Sequence, residues 1–425
     1  MKYTLITMIL LLSYGAQAQM DADLEKQIAN IEAQVIEWRR DFHEHPELSN
    51  REFKTAEKIA AHLKSLGLEV QTGVAKTGVV GVLKGDNPGK VVALRADIDA
   101  LPVTERNDLP FKSTVKTVFL GTNTGVMHAC GHDTHTAILM GVAEVLSKNK
   151  DKINGTVKFI FQPAEEGPPP GEKGGASVMI EEGVLKNPDV DAIFGLHINS
   201  GTPVGTIRYK PEGTMAAVER FVINVKGKQT HGSAPWSGVD PILISAKIID
   251  GLQTIISRDS KLVDGAAVIT VGKITSGVRF NIIPETAELI GTIRTLDADM
   301  KAVILKRMGE MVPAIAKAYG GDATIEFQNN TAITYNDPAL TNQMLPTLQN
   351  IAGADHVELV KATTGGEDFS FFQEVVPGFY FFLGGQPLGT TEAAPHHTPD
   401  FYIDESGMLL GVKVMSQLAL DYLNK

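Results

Sequence analysis

The order of strand and helix patterns predicts an α/β protein with a mostly parallel central sheet and an inserted domain. Up to about residue 213, apolar strand segments alternate with helical segments, which is typical of a sheet covered by helices. From about Ala216 the order becomes strand, helix, strand, strand, helix, strand, which is the ferredoxin-like βαββαβ arrangement. Because the later segment "GFYFFLGG" can return to the first sheet, we expect one domain from residues 19–213 and 329–425, interrupted by a second at 214–328.

Helix and strand signals follow one another in the first domain. Residues 25–45 form an amphipathic pattern that ends before Pro46, and Ser49 and Glu52 have the spacing of a capping box for the next helix. The strand candidates "TGVVGVLKG" and "KVVALRADIDALP" come next, and the second is apolar almost throughout, as expected for a strand buried on both faces. A helix over about 134–148 and the strands "GTVKFIFQPAEEG" and "VDAIFGLHI" continue the alternation.

Polar side chains collect where these strands are predicted to end. In parallel sheets, functional groups gather at the carboxyl ends of the strands. Four residues hold such positions: Asp97, Glu165, Glu166 and His197. We therefore expect their side chains to share one edge of the central sheet.

The N-terminal segment "MKYTLITMILLLSYGAQAQ" has the pattern of a cleavable export signal. Lys2 precedes an apolar run from Leu5 to Leu12, and Ala16 and Ala18 stand in the A-x-A arrangement that precedes cleavage. The run is shorter than the roughly 20 residues that span a bilayer, so we expect a signal peptide of residues 1–18 and not a membrane anchor. The mature chain is then predicted to be soluble, in the periplasm or secreted.

The net charge argues against one class of partner. The formal net charge is -11, and it becomes -12 when Lys2 leaves with the signal peptide. A chain of this charge lacks the basic face that neutralises phosphates, so we expect no binding of nucleic acid.

The segment "GVMHACGHDTHTAILMG" contains the only cysteine, Cys130, among three histidines and an aspartate. Cys130 cannot form a disulfide within its own chain, so it is a free thiol or a metal ligand. Thiolate and imidazole are ligands that Zn²⁺ and its neighbours in the transition series prefer, and Cys130 and His132 can point to the same side of a tight turn. The segment therefore predicts a metal site whose other ligands come from elsewhere.

Three further segments can supply those ligands. "QPAEEG" carries Glu165 and Glu166, whose side chains diverge on an extended backbone, so that one can bind metal while the other faces substrate. "GLH" places His197 at the end of a strand, and "PHHTPDF" offers His396 or His397.

Other interpretations stay open from the residues alone. Adjacent glutamates are most often solvated and a lone histidine is usually structural, although here both follow buried strands. Cys130 could act as a nucleophile with His132 or His135 as its base. The cluster could also serve metal binding without catalysis.

A series of motifs then specifies a family. They are, in chain order, "RRDFHEHPELSNRE", "ALRADIDALPVTE", "MHACGHDTHTA", "FQPAEEG", "GLH", "HGSAPWSGVDPI", "FNIIPETAELIGTIRT", "TGGEDFSFF" and "HHTPDF". Over nearly the whole mature chain, the sequence resembles the zinc-dependent aminoacylase/carboxypeptidase metallopeptidase family. It is most similar to the amidohydrolase branch of hippurate hydrolases, N-acyl-amino-acid deacylases and indole-acetyl-amino-acid hydrolases.

The resemblance implies a divalent metal cofactor, with one or two ions per subunit, Zn first and Mn, Co or Ni as alternatives. Glu165 is implied as the general base, and Cys130 stands where other members have an aspartate that bridges two metals. His397 is chosen over His396 because the family motif reads histidine, small residue, proline. The implied metal ligands are Cys130, His132, Glu166, His197 and His397.

Further roles are also implied by the resemblance. Asp99 is expected to orient a metal-ligand histidine, whereas Asp97 stands where many relatives have a histidine and is left unassigned. His231 in "KQTHGSAP" is expected to stabilise the oxyanion, often across a dimer interface, so a homodimer is implied. Asn281 and Arg294 resemble polar substrate-binding residues, and Arg294 could hold a carboxylate through two hydrogen bonds.

The implied function is metal-dependent hydrolysis of the amide bond of N-acyl amino acids by an activated water. A carboxypeptidase or dipeptidase that uses the same site on peptides is the alternative. On this interpretation, residues 19–213 and 329–425 form the catalytic domain, and residues 214–328 form the substrate and dimerisation domain.

Overall fold

The computed structural model describes residues 20–424. The predicted signal peptide, residues 1–18, lies outside the described residues, as does its cleavage site after Ala18. Within residues 20–424, no helix has the length and apolar character needed to cross a membrane.

Strands and helices are numbered along the chain. The strands are β1 (Glu69–Val74), β2 (Gly78–Lys84), β3 (Asn87–Asp97), β4 (Lys116–Phe119), β5 (Thr122–Gly125), β6 (Asn154–Gln162), β7 (Ala192–Pro203), β8 (Ile207–Tyr209), β9 (Glu212–Met215), β10 (Ala217–Lys226), β11 (Thr230–His231), β12 (Ala267–Ser276), β13 (Ile282–Ile283), β14 (Thr286–Thr295), β15 (Asp322–Thr331), β16 (Thr334–Asn336), β17 (Val357–Leu359) and β18 (Gly378–Gln386). The helices are α1 (Ala22–Asn30), α2 (Glu32–Glu44), α3 (Phe53–Ser65), α4 (His132–Ser147), α5 (Gly175–Glu181), α6 (Pro241–Thr254), α7 (Ala298–Ala318), α8 (Pro338–Ala352), α9 (Phe369–Gln373) and α10 (Met408–Leu423).

Four parallel strands, in the order β6, β3, β7, β18, form the centre of an eight-stranded sheet. Strands β1 and β2 extend one side antiparallel, and β8 joins the other side antiparallel to β18 and pairs with β17 in parallel. The prediction of a mostly parallel central sheet is confirmed, and "GFYFFLGG" returns to it as β18. Because β3, β6 and β7 run in the same direction, their carboxyl ends meet at one edge of the sheet.

Apolar side chains cover both faces of the central strands, which explains the nearly continuous apolar runs of β3 and β6. Val92 and Leu94 of β3 pack into the main core with helices that include α4 and α10. Val91 and Ala93 face the opposite side, where α5 and α9 complete a smaller core. The central sheet is therefore the middle layer between two helical layers.

A second, antiparallel sheet has the order β12, β14, β10, β15. Helices α6 and α7 pack against it, and Ile248 and Met308 on these helices share a separate core with Phe221 and Leu289 of the sheet. The element order β10, α6, β12, β14, α7, β15 is the expected βαββαβ order. The boundaries at residues 214 and 328 stay predictions.

The N-terminal helices differ from the expectation in two details. The pattern over residues 25–45 forms two helices, α1 and α2, because the first ends at Asn30 and the second begins at Glu32. The expected capping box is wrong, since Glu52 precedes α3 without making a cap hydrogen bond. The Ser49 hydroxyl donates to the Asp99 carboxylate at 2.7 Å, so a tertiary contact replaces the local one.

His197 lies inside β7 and not at its end. The pairing of β7 with β3 stops at Gly195, but β7 continues along β18 as far as Pro203. The side chain of His197 therefore emerges just beyond the end of the β3–β7 pairing, at the same edge of the sheet as Asp97.

Lys158 is a buried cation that connects β6 to the segment after α5. Its Nζ donates to the backbone oxygens of Val184 at 2.9 Å, Lys186 at 2.8 Å and Pro188 at 3.0 Å. The replacement Lys158→Met keeps the length of the side chain but removes all three donors. We expect the free energy of unfolding in urea to fall by about 2–4 kcal/mol, because three carbonyl groups lose their partner.

The matched control is Lys84→Met on the neighbouring strand β2. Lys84 forms an exposed ion pair with Glu69 at 2.7 Å, and its loss should cost less than about 0.5 kcal/mol. Equal losses for the two variants would contradict the structural role of Lys158.

Candidate metal centre

The turn before α4 brings Cys130 and His132 together at the carboxyl edge of the central sheet. Gly131 between them has a φ of 95°, and a Cβ atom at this position would lie 2.3 Å from Cγ2 of Ile198 on β7. Glycine alone combines this left-handed conformation with so close an approach. The turn therefore aims both buried side chains at one point.

Asp133, the next residue of this segment, has a structural partner. Its carboxylate lies 2.8 Å from Nε of Arg39 and 2.9 Å from Nδ1 of His43, both on α2. All three side chains are buried, so the start of α4 is held against α2 by ionic contacts.

The rings of His132 and His197 are oriented as in metal ligands. His132 Nδ1 donates to the backbone oxygen of Asp99 at 2.9 Å, and His197 Nδ1 donates to that of Ile198 at 2.6 Å. Each ring therefore turns the lone pair of Nε2 towards the centre, where His197 Nε2 lies 3.5 Å from the sulfur of Cys130. The buried Nε2 of His132 has no hydrogen-bond partner among residues 20–424.

The adjacent histidines 396 and 397 occupy different environments. His396 Nε2 accepts the Ser200 amide proton at 3.2 Å, so its Nδ1 carries the proton and faces the backbone oxygen of Cys130 at 3.2 Å and the sulfur at 3.7 Å. His397 Nε2 lies 3.2 Å from the sulfur of Cys130 and 3.0 Å from a carboxylate oxygen of Glu166. His397 thus belongs to the donor cluster, whereas the contacts of His396 hold the loop that carries both histidines.

The side chains of Glu165 and Glu166 diverge after β6. Glu166 faces His397, whereas the Glu165 carboxylate lies 3.9 Å from Nε2 of His132. Burial and the charge of Glu367 raise the pKa of Glu165 well above its usual value. A positive charge nearby would favour the ionised form of this carboxylate.

The donors form one connected centre. Burial by itself lowers the pKa of His132. The neighbouring carboxylates, of which Asp97 contributes most, outweigh burial and raise this pKa to about 10, so negative charge is in excess around the ring. A thiolate, imidazoles and carboxylates together fit a divalent ion of the zinc type. Their donor atoms form groups that share residues, which accommodates one or two ions. The overlapping groups, with donor atoms within 4.8 Å of one another, are Cys130, His132 and His197; Cys130, Glu166 and His397; and His132, Glu165 and Glu166.

Asp97, which the sequence left unassigned, belongs to a network behind the centre. Its carboxylate accepts the Nδ1 proton of His135 at 2.6 Å and a guanidinium proton of Arg95 at 2.6 Å. His135 Nε2 accepts the backbone amide proton of Ile198 at 2.8 Å, which holds β7 beside His197. Sequence reasoning missed this network, although a charged Arg95 within an apolar strand is a detectable signal.

Arg95 also extends the network to the "TGGEDF" segment. Its guanidinium donates to Glu367 at 2.9 Å and to Asp368 at 3.0 Å. Both carboxylates lie within 4.8 Å of Glu165, so this segment, to which the sequence assigned no role, adjoins the general-base candidate.

Asp99 supports the turn that carries the two glutamates. Its carboxylate accepts the backbone amide protons of Glu165 and Glu166, each at 3.1 Å. A carboxylate oxygen also lies 3.3 Å from Nδ1 of His132. Asp99 therefore contacts both the histidine that it was expected to orient and the backbone of the glutamates.

The contacts argue against Cys130 as a nucleophile. Burial and the charges of Glu166 and Glu165 raise the pKa of the thiol well above its usual value, whereas a reactive cysteine needs a lowered pKa. Both ring nitrogens of His135 are engaged with other partners, so this ring does not serve as the base.

A cleft of about 1410 Å³ opens over the centre and extends to the antiparallel sheet. Arg294 on β14 lines it, and its guanidinium makes no ion pair or hydrogen bond with a described residue. Partial burial lowers the pKa of Arg294 below its usual value. The cleft thus offers an uncompensated cation to a ligand.

His231 and Asn281 do not line this cleft. They lie together near the short β11–β13 ladder, where the Gly232 amide donates to the backbone oxygen of Asn281 at 2.9 Å. His231 is exposed, and its Nδ1 lies 2.7 Å from the hydroxyl of Ser233. Within one subunit, the structure therefore keeps these two predicted site residues apart from the centre.

Fold and centre together define an α/β protein with a candidate metal centre, and the comparisons with known proteins show that it is a hydrolase that acts on amide bonds. The pattern that describes Peptidase family M20/M25/M40 matches residues 93–421. This match covers well over half of the chain. The chain belongs to this family.

Similar proteins cover almost the whole chain. Thermostable carboxypeptidase 2 of Saccharolobus solfataricus is 43% identical over 404 residues, which cover 95% of this chain and 98% of that protein. N-acetylcysteine deacetylase of Bacillus subtilis is 38% identical over 387 residues, which cover 91% of this chain and 96% of that protein. The solved structure of the Bacillus subtilis YXEP protein, a dinuclear metal binding peptidase from the M20 family, has a TM-score of 0.77 at 36% identity and covers 93% of this chain and 99% of that one.

The two neighbouring histidines allow a matched test of the centre. We expect His397→Ala to lose most of its bound metal, because the ring faces Cys130 and Glu166. His396→Ala should keep the wild-type metal content, because the His396 ring contacts mainly backbone groups. Metal analysis after dialysis gives both values, and loss of metal from the His396 variant alone would contradict the assignment.

Proposed function

We propose that the protein hydrolyses the amide bond between an acyl group and an amino acid, with a divalent metal ion and Glu165 as general base. The position of Glu165 carries this proposal. Its largely buried carboxylate lies 3.9 Å from His132 Nε2, beside the Cys130 and Glu166 donors, and lines the cleft.

The metal would be held by the side chains that converge on the centre. When bound, a divalent ion polarises the amide carbonyl and lowers the pKa of a water. Zn²⁺ is the first candidate and Mn, Co and Ni are alternatives, with one or two ions per subunit. The proposed ligands are Cys130, His132, Glu166, His197 and His397.

Glu165 carries the proton transfers. Its carboxylate accepts a proton from the attacking water and donates it to the departing amine nitrogen. Asp99 holds the backbone amide of Glu165 at 3.1 Å, and the Asp368 amide lies 3.4 Å from the carboxylate itself. These contacts help to restrain Glu165 before substrate binds.

Arg294 is proposed to bind the carboxylate of the amino acid. A partly buried guanidinium without an anionic partner gains most from a carboxylate that it can hold through two hydrogen bonds. An acyl amino acid supplies that carboxylate beside its amide bond. The similarity to N-acetylcysteine deacetylase supports an acyl group on the other side of the bond.

A metallo-carboxypeptidase or dipeptidase is the second candidate. The 43% identity to thermostable carboxypeptidase 2 favours it. The centre and Arg294 serve both reactions equally, because a peptide also presents a carboxylate near its last amide bond. The rates at which acyl amino acids and peptides are cleaved therefore have to distinguish the two functions.

We also propose that the mature chain acts in the periplasm or outside the cell. The pattern of residues 1–18 supports export, which would expose the enzyme to peptides and conjugates outside the cytoplasm.

Amine release from N-acetyl amino acids, N-benzoyl amino acids and dipeptides tests the function. We expect chelation and Glu165→Gln each to lower turnover by about 10²- to 10⁴-fold, while Glu165→Gln keeps its metal. The α-carboxamide form of each substrate should react at least about tenfold more slowly, because it lacks the anion for Arg294.

The substrate panel also has outcomes that contradict the proposal. Full activity after verified removal of metal would argue for a different chemistry, and full activity of Glu165→Gln would remove its role. Faster cleavage of dipeptides than of acyl amino acids would favour the peptidase.

We propose that His231 completes the active site of a partner subunit in a homodimer, where it stabilises the oxyanion, with Asn281 next to it. The exposure of His231 and its absence from the cleft of its own subunit support this placement. Apolar side chains nearby are also exposed, with 96% of Phe280 and 82% of Trp236 accessible, as expected for a surface that another chain covers.

Mixed dimers test the placement of His231. His231→Ala and Glu165→Gln should each be nearly inactive alone. After subunit exchange, one site of each mixed dimer keeps both residues, so about a quarter of wild-type activity is expected for random pairing. Absence of activity despite exchange shown by mass spectrometry would contradict action across the interface.

A further inference from the structure

We propose that Glu52 is a positioning residue that keeps the general base Glu165 in its working orientation by holding the backbone of Ala164. This inference rests on the proposed function of Glu165. It starts from an unusual backbone conformation at Ala164 and from a buried carboxylate with no role in the metal centre.

Ala164 adopts a left-handed conformation that disfavours residues with a Cβ atom. Its φ is 54°, and its side chain is buried. The residue connects Gln162, the last residue of β6, through Pro163 to Glu165. A return of Ala164 to negative φ would therefore change the direction in which the Glu165 side chain leaves the backbone.

Three successive amides of this turn point at two carboxylates. The Ala164 amide donates to Glu52 at 2.9 Å, and the amides of Glu165 and Glu166 donate to the two oxygens of Asp99 at 3.1 Å each. Consecutive amides around a left-handed residue form a concave site for anions. Here the protein fills that site with its own side chains, and Glu52 binds the amide of the strained residue.

The surroundings of Glu52 indicate that its main structural role is to accept the hydrogen bond from the Ala164 amide. Glu52 is buried, and it forms no ion pair with a described residue. Its backbone oxygen accepts the Ala56 amide proton at the start of α3, but its side chain makes no cap hydrogen bond, and the Thr77 hydroxyl donates to the second carboxylate oxygen at 2.6 Å. A buried carboxylate without a cation is unfavourable, and an apolar side chain of the same size would fill the space but leave the Ala164 amide without an acceptor.

Loss of this one contact should affect turnover more than substrate or metal binding. Asp99 still holds the amides of Glu165 and Glu166 when Glu52 is replaced, so Glu166 keeps its place among the metal ligands. The change is confined to Ala164 and to the aim of the Glu165 carboxylate. A lower kcat with unchanged KM and metal content is therefore the expected signature.

The test compares Glu52→Met with Glu52→Gln on the substrate that the wild-type protein cleaves fastest. Met removes the acceptor, and we expect kcat to fall about tenfold with KM and bound metal within about twofold of wild type. Gln keeps an acceptor oxygen for the Ala164 amide and should retain kcat within about threefold. Hydrogen exchange of the Ala164 amide should be faster in Glu52→Met than in Glu52→Gln.

A rescue experiment separates positioning from general packing. Glycine adopts positive φ without the penalty that alanine carries. Adding Ala164→Gly to Glu52→Met should therefore recover at least about threefold in kcat. Thr77→Val, which removes the hydroxyl that orients Glu52, serves if the Met variant does not fold, and it should lower kcat severalfold at unchanged KM.

Several outcomes would overturn the proposal. One is a wild-type kcat in Glu52→Met or Thr77→Val. Another is a loss of bound metal in Glu52→Met that parallels the loss of kcat. A third is a kcat of the double variant Glu52→Met with Ala164→Gly that is no higher than that of Glu52→Met alone. Equal exchange of the Ala164 amide in the Met and Gln variants would also overturn it. The exchange measurement needs no substrate, so it tests the contact between Glu52 and Ala164 independently of activity. A wild-type protein without hydrolytic activity would contradict only the proposed function.

Discussion

A concentration of buried negative charge at one edge of the central sheet is the constraint on which the rest of the site depends. Two unit charges 4 Å apart interact by about 4 kcal/mol at an effective dielectric constant of 20, so these groups cannot share the edge without cations or proton donors. Arg95 compensates three of them from behind. The acidic residues at this edge are Glu52, Asp97, Asp99, Glu165, Glu166, Glu367 and Asp368.

The remaining charge faces the thiol and the imidazoles, which is the electrostatic reason why the centre suits a divalent ion. Burial, together with the same excess of negative charge, raises the pKa of Glu165 and of Cys130. A metal ion would reverse both effects, since a nearby positive charge stabilises thiolate and carboxylate. Metal binding and the ionisation of Glu165 are therefore linked.

Hydrogen bonds to the backbone decide where the charged groups point. The carbonyl groups of Asp99 and Ile198 orient His132 and His197, and the carboxylates of Glu52 and Asp99 hold three amides in a row. These partners come from the segment after β3, from β7 and from the residue before α3, so the arrangement exists only when the sheet and its helices are assembled. The antiparallel sheet adds Arg294 to the wall of the same cleft, so the proposed binding of the substrate carboxylate and the proposed chemistry lie on different sheets.

The sequence by itself determined the fold class, the family and the types of donor, because these depend on local patterns. Apolar runs predicted the parallel strands, and the Cys130–His132 turn and the Glu165–Glu166 pair are short motifs whose chemistry can be read without coordinates. Only the tertiary structure decided which groups Ser49, Glu52 and Asp97 contact. Ser49 and Glu52 have the spacing of a local cap, yet their partners are Asp99 and Ala164, which lie far away in the chain. Long-range contacts of this kind leave no periodic pattern, since they depend on which strands become neighbours.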